Sequence, residues 1–145
     1  MKAVVQRVER AAVRVVGDPH PVGEIGAGML VLLGVAKGDT DVEARRMAER
    51  LRGLRIFTGG DGRMSEAVGP DRGILVVSNF TLCADTRKGA RPSFTGAAPP
   101  DEAKRLYELV AAELDAPTGE FGGDMRIDLV ADGPVTIELE VAPRS

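Results

Sequence analysis

Apolar and polar positions alternate along much of this chain, and where the alternation stops the apolar runs are short and β-branched. Lys2–Val8 and Ala11–Val16 are two β-rich runs separated by Glu9-Arg10, which predicts strands joined by a tight turn or a bulge. Gly17-Asp18-Pro19-His20-Pro21 has turn composition, Val22–Ile25 reads as a short strand, and Met29–Val35 as a longer buried one. Lys37-Gly38-Asp39 breaks that run. Thr40 and Glu43 then stand at capping-box spacing, with Val42, Met47, Leu51 and Leu54 at helical spacing behind them. Ile56-Phe57 reads as a short strand end and Gly59-Gly60-Asp61-Gly62 as a turn. In the second half, Ile74–Phe80 is a buried central strand, and Pro99-Pro100-Asp101 opens a helix with Ala103, Leu106, Tyr107, Val110 and Leu114 on one face. The glycine-rich Thr118–Gly123 leads to two alternating strands, Met125–Val130 and Val135–Val141. Between them, Ala131-Asp132-Gly133-Pro134 has the composition of a hairpin turn.

This order predicts one α/β domain over residues 1–145, with more strand than helix and many antiparallel connections. A net charge of −3 argues against gripping nucleic acid with the whole surface, so any such contact falls to local basic patches. Cys83 is the only cysteine, which excludes an internal disulfide and favours a reducing compartment. With a single His (His20) beside it, no zinc site of the usual ligand types can form, and neither metal nor cofactor is expected. The start of the chain has no signal-peptide layout and no apolar run approaches membrane-spanning length, so a soluble cytoplasmic protein is expected, with no membrane partner.

The candidate chemistry gathers at the carboxyl end of the central strand, in Ser78-Asn79-Phe80-Thr81-Leu82. A loop with Arg87, Lys88 and Arg91 follows. Ser78 and Thr81 are either nucleophiles or a polar cradle. A nucleophilic hydroxyl needs a base; His20 lies in a proline-flanked turn, and no G-x-S-x-G elbow surrounds Ser78. Ester cleavage here would therefore draw on backbone N–H groups, positioned hydroxyls or the substrate itself. Gly133-Pro134 is either a plain turn or a place where another chain or ligand meets the backbone closely, with Pro fixing the carbonyl direction.

Taken together, Ser78-Asn79-Phe80-Thr81-Leu82, Ala84-Asp85-Thr86, Arg91-Pro92-Ser93-Phe94 and Asp132-Gly133-Pro134-Val135-Thr136 closely resemble D-aminoacyl-tRNA deacylases. Gln6-Arg7-Val8, Gly23-Glu24-Ile25-Gly26, Arg55-Ile56-Phe57 and Thr118-Gly119 before Asp124-Met125 extend the resemblance over essentially the whole chain. It implies a homodimer of compact subunits, each with a strongly curved, barrel-like, mainly antiparallel sheet flanked by two main helices. It implies hydrolysis of the ester of D-aminoacyl-tRNA, and of glycine mischarged on alanine tRNA, with L-esters rejected. Ser78, Asn79, Phe80 and Thr81 would hold the aminoacyl group and terminal adenosine. Gly133 and Pro134, joined by a cis bond, would reach in from the other subunit, with Arg7 bracing them and Met125 lining the pocket. The tRNA 2′-hydroxyl would assist cleavage, and backbone N–H groups near Phe80 and Thr81 would hold the oxyanion.

The chain departs from the usual family pattern at Asn79, where Gln is common, and at Ala131, where Asn is common. The expected partner is the acceptor end of an aminoacyl-tRNA and not DNA, with Arg87, Lys88 and Arg91 on its phosphates. Arg45, Arg46, Arg50 and Arg52 on the first helix are either further phosphate contacts or a solvated face. The competing readings are a relative with a trans Gly-Pro that clears L-aminoacyl-tRNA, a fold-sharing small-molecule binder, and a non-catalytic RNA-binding subunit.

Overall fold

The longest alternating segments become the two longest strands, β1 (Lys2–Val15) and β7 (Met125–Glu140), which pair antiparallel along their lengths in a computed structural model that describes residues 1–143. The other edge of β1 is shared. Its first half pairs with β3 (Gly28–Gly34) and Ala11–Val13 pair with β2 (Gly23–Ile25), both antiparallel. β3 in turn pairs with β6 (Gly73–Ser78), the parallel pair of a sheet that curls into a half-barrel. Phe57–Thr58 (β4) and Met64–Glu66 (β5) form a separate small hairpin.

Two of the expected breaks fall inside long strands, one as the bulge that was among its expected forms and one against expectation. Glu9-Arg10 is a bulge inside β1, where the register steps between Val8 and Arg10. The hairpin expected at Ala131–Pro134 does not exist. Met125–Val130 and Thr136–Glu140 both run antiparallel to β1, so the chain does not reverse between them. Gln6 pairs with Thr136 and Val8 with Ala131, so Asp132–Val135 arches out opposite the single residue Arg7. Turn composition reports that a ladder is interrupted; the direction of the chain afterwards is set by the partner strand.

The helices lie over one face. Helix α1 (Asp41–Gly53) opens on the expected capping box: the Val42 amide donates to Thr40 Oγ1 at 3.2 Å, and the Thr40 amide to Glu43 Oε2 at 2.7 Å. Its buried stripe is Ala44, Met47, Ala48 and Leu51, whereas Val42, expected on that stripe, is 57% exposed. Val42 stands five residues before Met47, off the i, i+3, i+4, i+7 row that the alanines complete. Helix α2 (Pro100–Glu113) starts at the expected proline and buries Leu106, Tyr107 and Val110 against α1 and the sheet. Among the described residues, no helix is long and apolar enough to cross a membrane.

Alternate residues of the central strands enter two different cores. Met29, Val31, Leu33, Ile74 and Val76 join the helices, while Leu30, Leu75 and Val77 pack with Val8, Ala11 and Val13 on the opposite face. That double burial is why these strands read as unbroken apolar runs. The first core closes over a buried ion pair, in which the Met1 α-ammonium donates to Asp39 Oδ1 at 3.0 Å and to the Val141 carbonyl at 2.8 Å. Asp39 Oδ2 accepts from the Ala36 amide at 2.8 Å.

Candidate active site

β6 ends at Ser78 because Asn79 turns the chain. Asn79 has an extended backbone and caps a single 3-10 turn, Phe80–Cys83, so the strand expected to run to Phe80 stops two residues sooner. Asn79 Oδ1 accepts from the Thr81 amide at 3.2 Å and also from the Thr81 hydroxyl. The Leu82 amide donates to the Asn79 carbonyl at 3.3 Å. A short amide side chain at the head of a turn is the expected way to satisfy these orphan donors. The Thr81 hydroxyl thus gives its proton to an amide oxygen and not to a base.

The end of β6 opens into a cavity of about 490 Å³ lined by Ser78, Asn79 and Phe80, by Val35, by Ala97, Ala98, Pro100 and Ala103 before and within α2, and by Phe121, Gly122, Gly123 and Met125. None of these residues is ionisable. Sequence reasoning singled out Ser78, Asn79, Phe80 and Met125; it missed the wall formed by Ala97–Pro100 and Phe121–Gly123. The proline and glycine density of those two segments was their one legible signal. Phe80 is 56% exposed and meets Phe94 edge-to-face at 5.1 Å, so an aromatic pair marks the cavity mouth. Among the described residues, no group of three or more His, Cys, Asp or Glu could hold a metal ion.

The sequence profile of the family described as D-Tyr-tRNA(Tyr) deacylase matches residues 4–140. The D-aminoacyl-tRNA deacylase of Dehalococcoides mccartyi is 51% identical over 150 residues, covering 99% of this chain and 97% of that protein. The chain belongs to the D-Tyr-tRNA(Tyr) deacylase family. The D-aminoacyl-tRNA deacylase of Escherichia coli O81 is 50% identical, over 97% of this chain and all of that one. Among solved structures, the c-Myc DNA Unwinding Element Binding Protein superposes with a TM-score of 0.91 at 38% identity over 99% of this chain and 100% of that one. The structure of a probable eukaryotic D-amino acid tRNA deacylase, at 17% identity and a TM-score of 0.79 over 97% and 98% of the two chains, shares the fold.

The remaining deacylase-family positions lie away from this chain's own cavity. Gly133 and Pro134 are exposed on the arch of β7, and the bond between them is cis. Gly133 has φ +126°, and a Cβ there would fall 2.8 Å from the Val135 amide nitrogen and 3.2 Å from the Arg7 guanidinium. Arg7 holds the base of the arch. Its Nε donates to the Asp132 carbonyl at 3.2 Å and lies 3.3 Å from the Asp132 carboxylate, while Nη1 donates to the Ile56 carbonyl at 2.8 Å.

In the basic loop, Asp85 and Ser93 exchange two backbone hydrogen bonds, and Arg87 grips the Asp85 carboxylate through Nε (2.9 Å) and Nη2 (2.7 Å). Hydrogen bonds from the Arg87 side chain and amide lower the Asp85 pKa to about 2. Arg87 is therefore already paired within the loop, while Lys88 and Arg91 are exposed beside it. The arginines of α1 are engaged in the fold. Arg46 and Arg50 donate to the Ala142 and Glu140 carbonyls at 3.1 and 2.8 Å, Arg52 donates to the Glu113 carbonyl, and Arg45 faces the Glu113 carboxylate at 3.8 Å. They tie the chain's carboxyl end and α2 to α1.

Proposed function

We propose that this chain hydrolyses the ester bond of D-aminoacyl-tRNA, releasing the free D-amino acid and tRNA. Family membership supports the reaction class, and one observation shapes the mechanism: among the described residues, none that lines the cavity at Ser78-Asn79-Phe80 is ionisable. Those residues offer neither a general base nor a nucleophile–base pair, so the terminal 2′-hydroxyl of the tRNA takes a proton from the attacking water and passes its own to the 3′-oxygen that leaves as the ester C–O bond breaks. The developing oxyanion is held by the backbone N–H of Phe80. The Thr81 amide, expected to share that role, already donates to Asn79 and joins only if the Asn79 side chain turns away. Thr81 positions Asn79 and does not attack.

Chirality is selected by a second copy of the chain. Gly133 and Pro134 line no part of their own subunit's cavity, yet stand exposed on an arch held by Arg7. In a homodimer the arch enters the partner's cavity, where its carbonyls take the α-amino group and its backbone fills the space an L side chain would need. Rejection by shape and fixed carbonyls requires no reading of the side chain, so different D-amino acids, and glycine mischarged on alanine tRNA, are accepted. Lys88 and Arg91 carry the phosphate contacts; Arg87 shapes their loop. The cytoplasm, where charged tRNA is used, is the place for this activity.

The reading is tested by following purified protein with D-tyrosyl-tRNA and L-tyrosyl-tRNA. Fast release from the D-ester alone is expected. Equal release from both overturns the chiral filter, and release from the L-ester alone assigns the chain to clearing mischarged L-aminoacyl-tRNA. Absence of release from either overturns the activity.

A further inference from the structure

The segment Pro117–Gly119 runs along the outer edge of β6, immediately before the strand reaches Ser78. Val76 donates to the Pro117 carbonyl at 3.0 Å and accepts from the Gly119 amide at 3.4 Å. Thr118 forms a parallel bridge with Val76. Gly119 is thereby fixed against the strand that carries the site.

Two reasons can require a glycine: a backbone conformation closed to other residues, or the absence of room for a Cβ. At Gly133 the first holds, with φ +126°. At Gly119 only the second applies, because its φ lies outside the left-handed region. An ideal Cβ on Gly119 would fall 2.7 Å from Met125 Sδ and 3.5 and 3.6 Å from the two γ-carbons of Val13. Val13 is fully buried in the second core and has no room to retreat. Met125 is half-buried, at the edge of that core, and lines the cavity. The thioether is the flexible party, and the open side available to it is the cavity.

We infer that Gly119 is a positioning residue that sets the depth of the aminoacyl pocket through Met125. The inference rests on the deacylase reading above. With hydrogen at position 119, the thioether sits back against the Pro117–Gly119 segment and the pocket keeps its full depth. A methyl there drives Met125 into the space a bulky D side chain occupies. Glycine, which has no side chain, loses nothing. The room that lets D-amino acids of different size be accepted is therefore kept open by a residue absent from the cavity lining.

The test is a double-mutant cycle on the full-length protein with D-tyrosyl-tRNA and glycyl-tRNA. Gly119→Ala raises KM for the D-tyrosyl ester about tenfold, the scale of discrimination over one methylene in an apolar pocket. The expected change in kcat, and in either constant for the glycyl ester, is under about twofold, within the scatter of independent sites. In a Met125→Ala background, adding Gly119→Ala leaves KM for both esters within about twofold of Met125→Ala alone. Should Gly119→Ala fail to fold, the double variant, which lacks the atom in conflict, must still fold and show that equality.

Binding of D-tyrosine amide-linked to 3′-amino-adenosine, a non-hydrolysable probe, should weaken in parallel with KM. Equal losses on both esters, or an undiminished effect in the Met125→Ala background, would overturn the role of Gly119 while leaving the deacylase reading intact. A wild-type protein inactive on both esters would overturn that reading, and this inference with it.

Discussion

Asp39→Ala removes one partner of the buried ion pair that closes the amino-terminal end of the first core. The Met1 ammonium and the Asp39 side chain are both fully shielded from solvent and 2.9 Å apart. The same carboxylate accepts from the Ala36 amide, so its loss strands a buried charge and a backbone donor together. Breaking such a pair by deleting one member costs about 3–5 kcal/mol, mostly because the surviving charge stays out of water. Against a total stability of about 5–15 kcal/mol, that is a large fraction. At this chain length each kcal/mol moves Tm by about 2–4 °C, so a drop of roughly 10–15 °C is expected. Asp39→Asn keeps an acceptor for one donor and should fall about half as far. Thermal and urea unfolding give both values. The wild-type advantage should survive 1 M NaCl, since a Debye length of about 3 Å screens surface charges and leaves a buried pair alone. A shift of under about 2 °C, or one abolished by salt, would refute the reasoning.

Other consequences can be measured separately. Asn79→Ala leaves the Thr81 amide and hydroxyl without their acceptor and loosens the turn at the cavity; a loss of about a hundredfold in kcat/KM with about 1 kcal/mol of stability is expected, and under threefold would contradict the positioning role. Asp85 should titrate near 2 by carbon-detected NMR and return toward 3.8 in Arg87→Ala. Its folded pKa is depressed, so the pair contributes above the unfolded carboxylate pKa and its contribution fades as pH falls toward about 2; a midpoint unchanged in Arg87→Ala would show that Arg87 is not the cause. Burial raises the Cys83 thiol pKa, so alkylation by iodoacetamide at neutral pH should be slower than in the unfolded chain; equal rates would contradict the burial.

How much of this could be seen in the chain depends on where the deciding interaction is local. The capping box at Thr40 and Glu43 and the proline start of α2 are settled within a few residues, and they stand where the pattern put them; the central strand ends at Ser78, two residues short of its expected end, because Asn79 caps the turn that follows. The direction of the chain after Asp132-Gly133-Pro134 is set by β1, more than a hundred residues away in sequence, so local composition reads as a hairpin what the fold makes an arch. The exposure of Val42 follows from small alanines completing a stripe that large apolar residues alone misdraw. The α1 arginines and Arg87 show the same limit for charge. A sequence displays cations; which of them are already bonded to Ala142, Glu140, Glu113 or Asp85 is a tertiary fact. The cavity wall at Phe121–Gly123 is assembled from segments far apart in the chain, and no pairwise spacing announces it.

The proposed site is shared between two subunits, with the Ser78-Asn79-Phe80 cavity of one completed by the Gly133-Pro134 arch of the other. Subunit complementation tests it directly. Asn79→Ala damages the cavity, and Gly133→Ala places a methyl 2.8 Å from the Val135 amide nitrogen and so damages the arch. Each variant alone should be nearly inactive on D-tyrosyl-tRNA. Refolded together in equal amounts, half of the dimers pair one of each and carry one intact site, restoring about a quarter of wild-type activity. A mixture no more active than its separate components, with dimers confirmed by light scattering, would place cavity and arch in the same subunit and contradict the account.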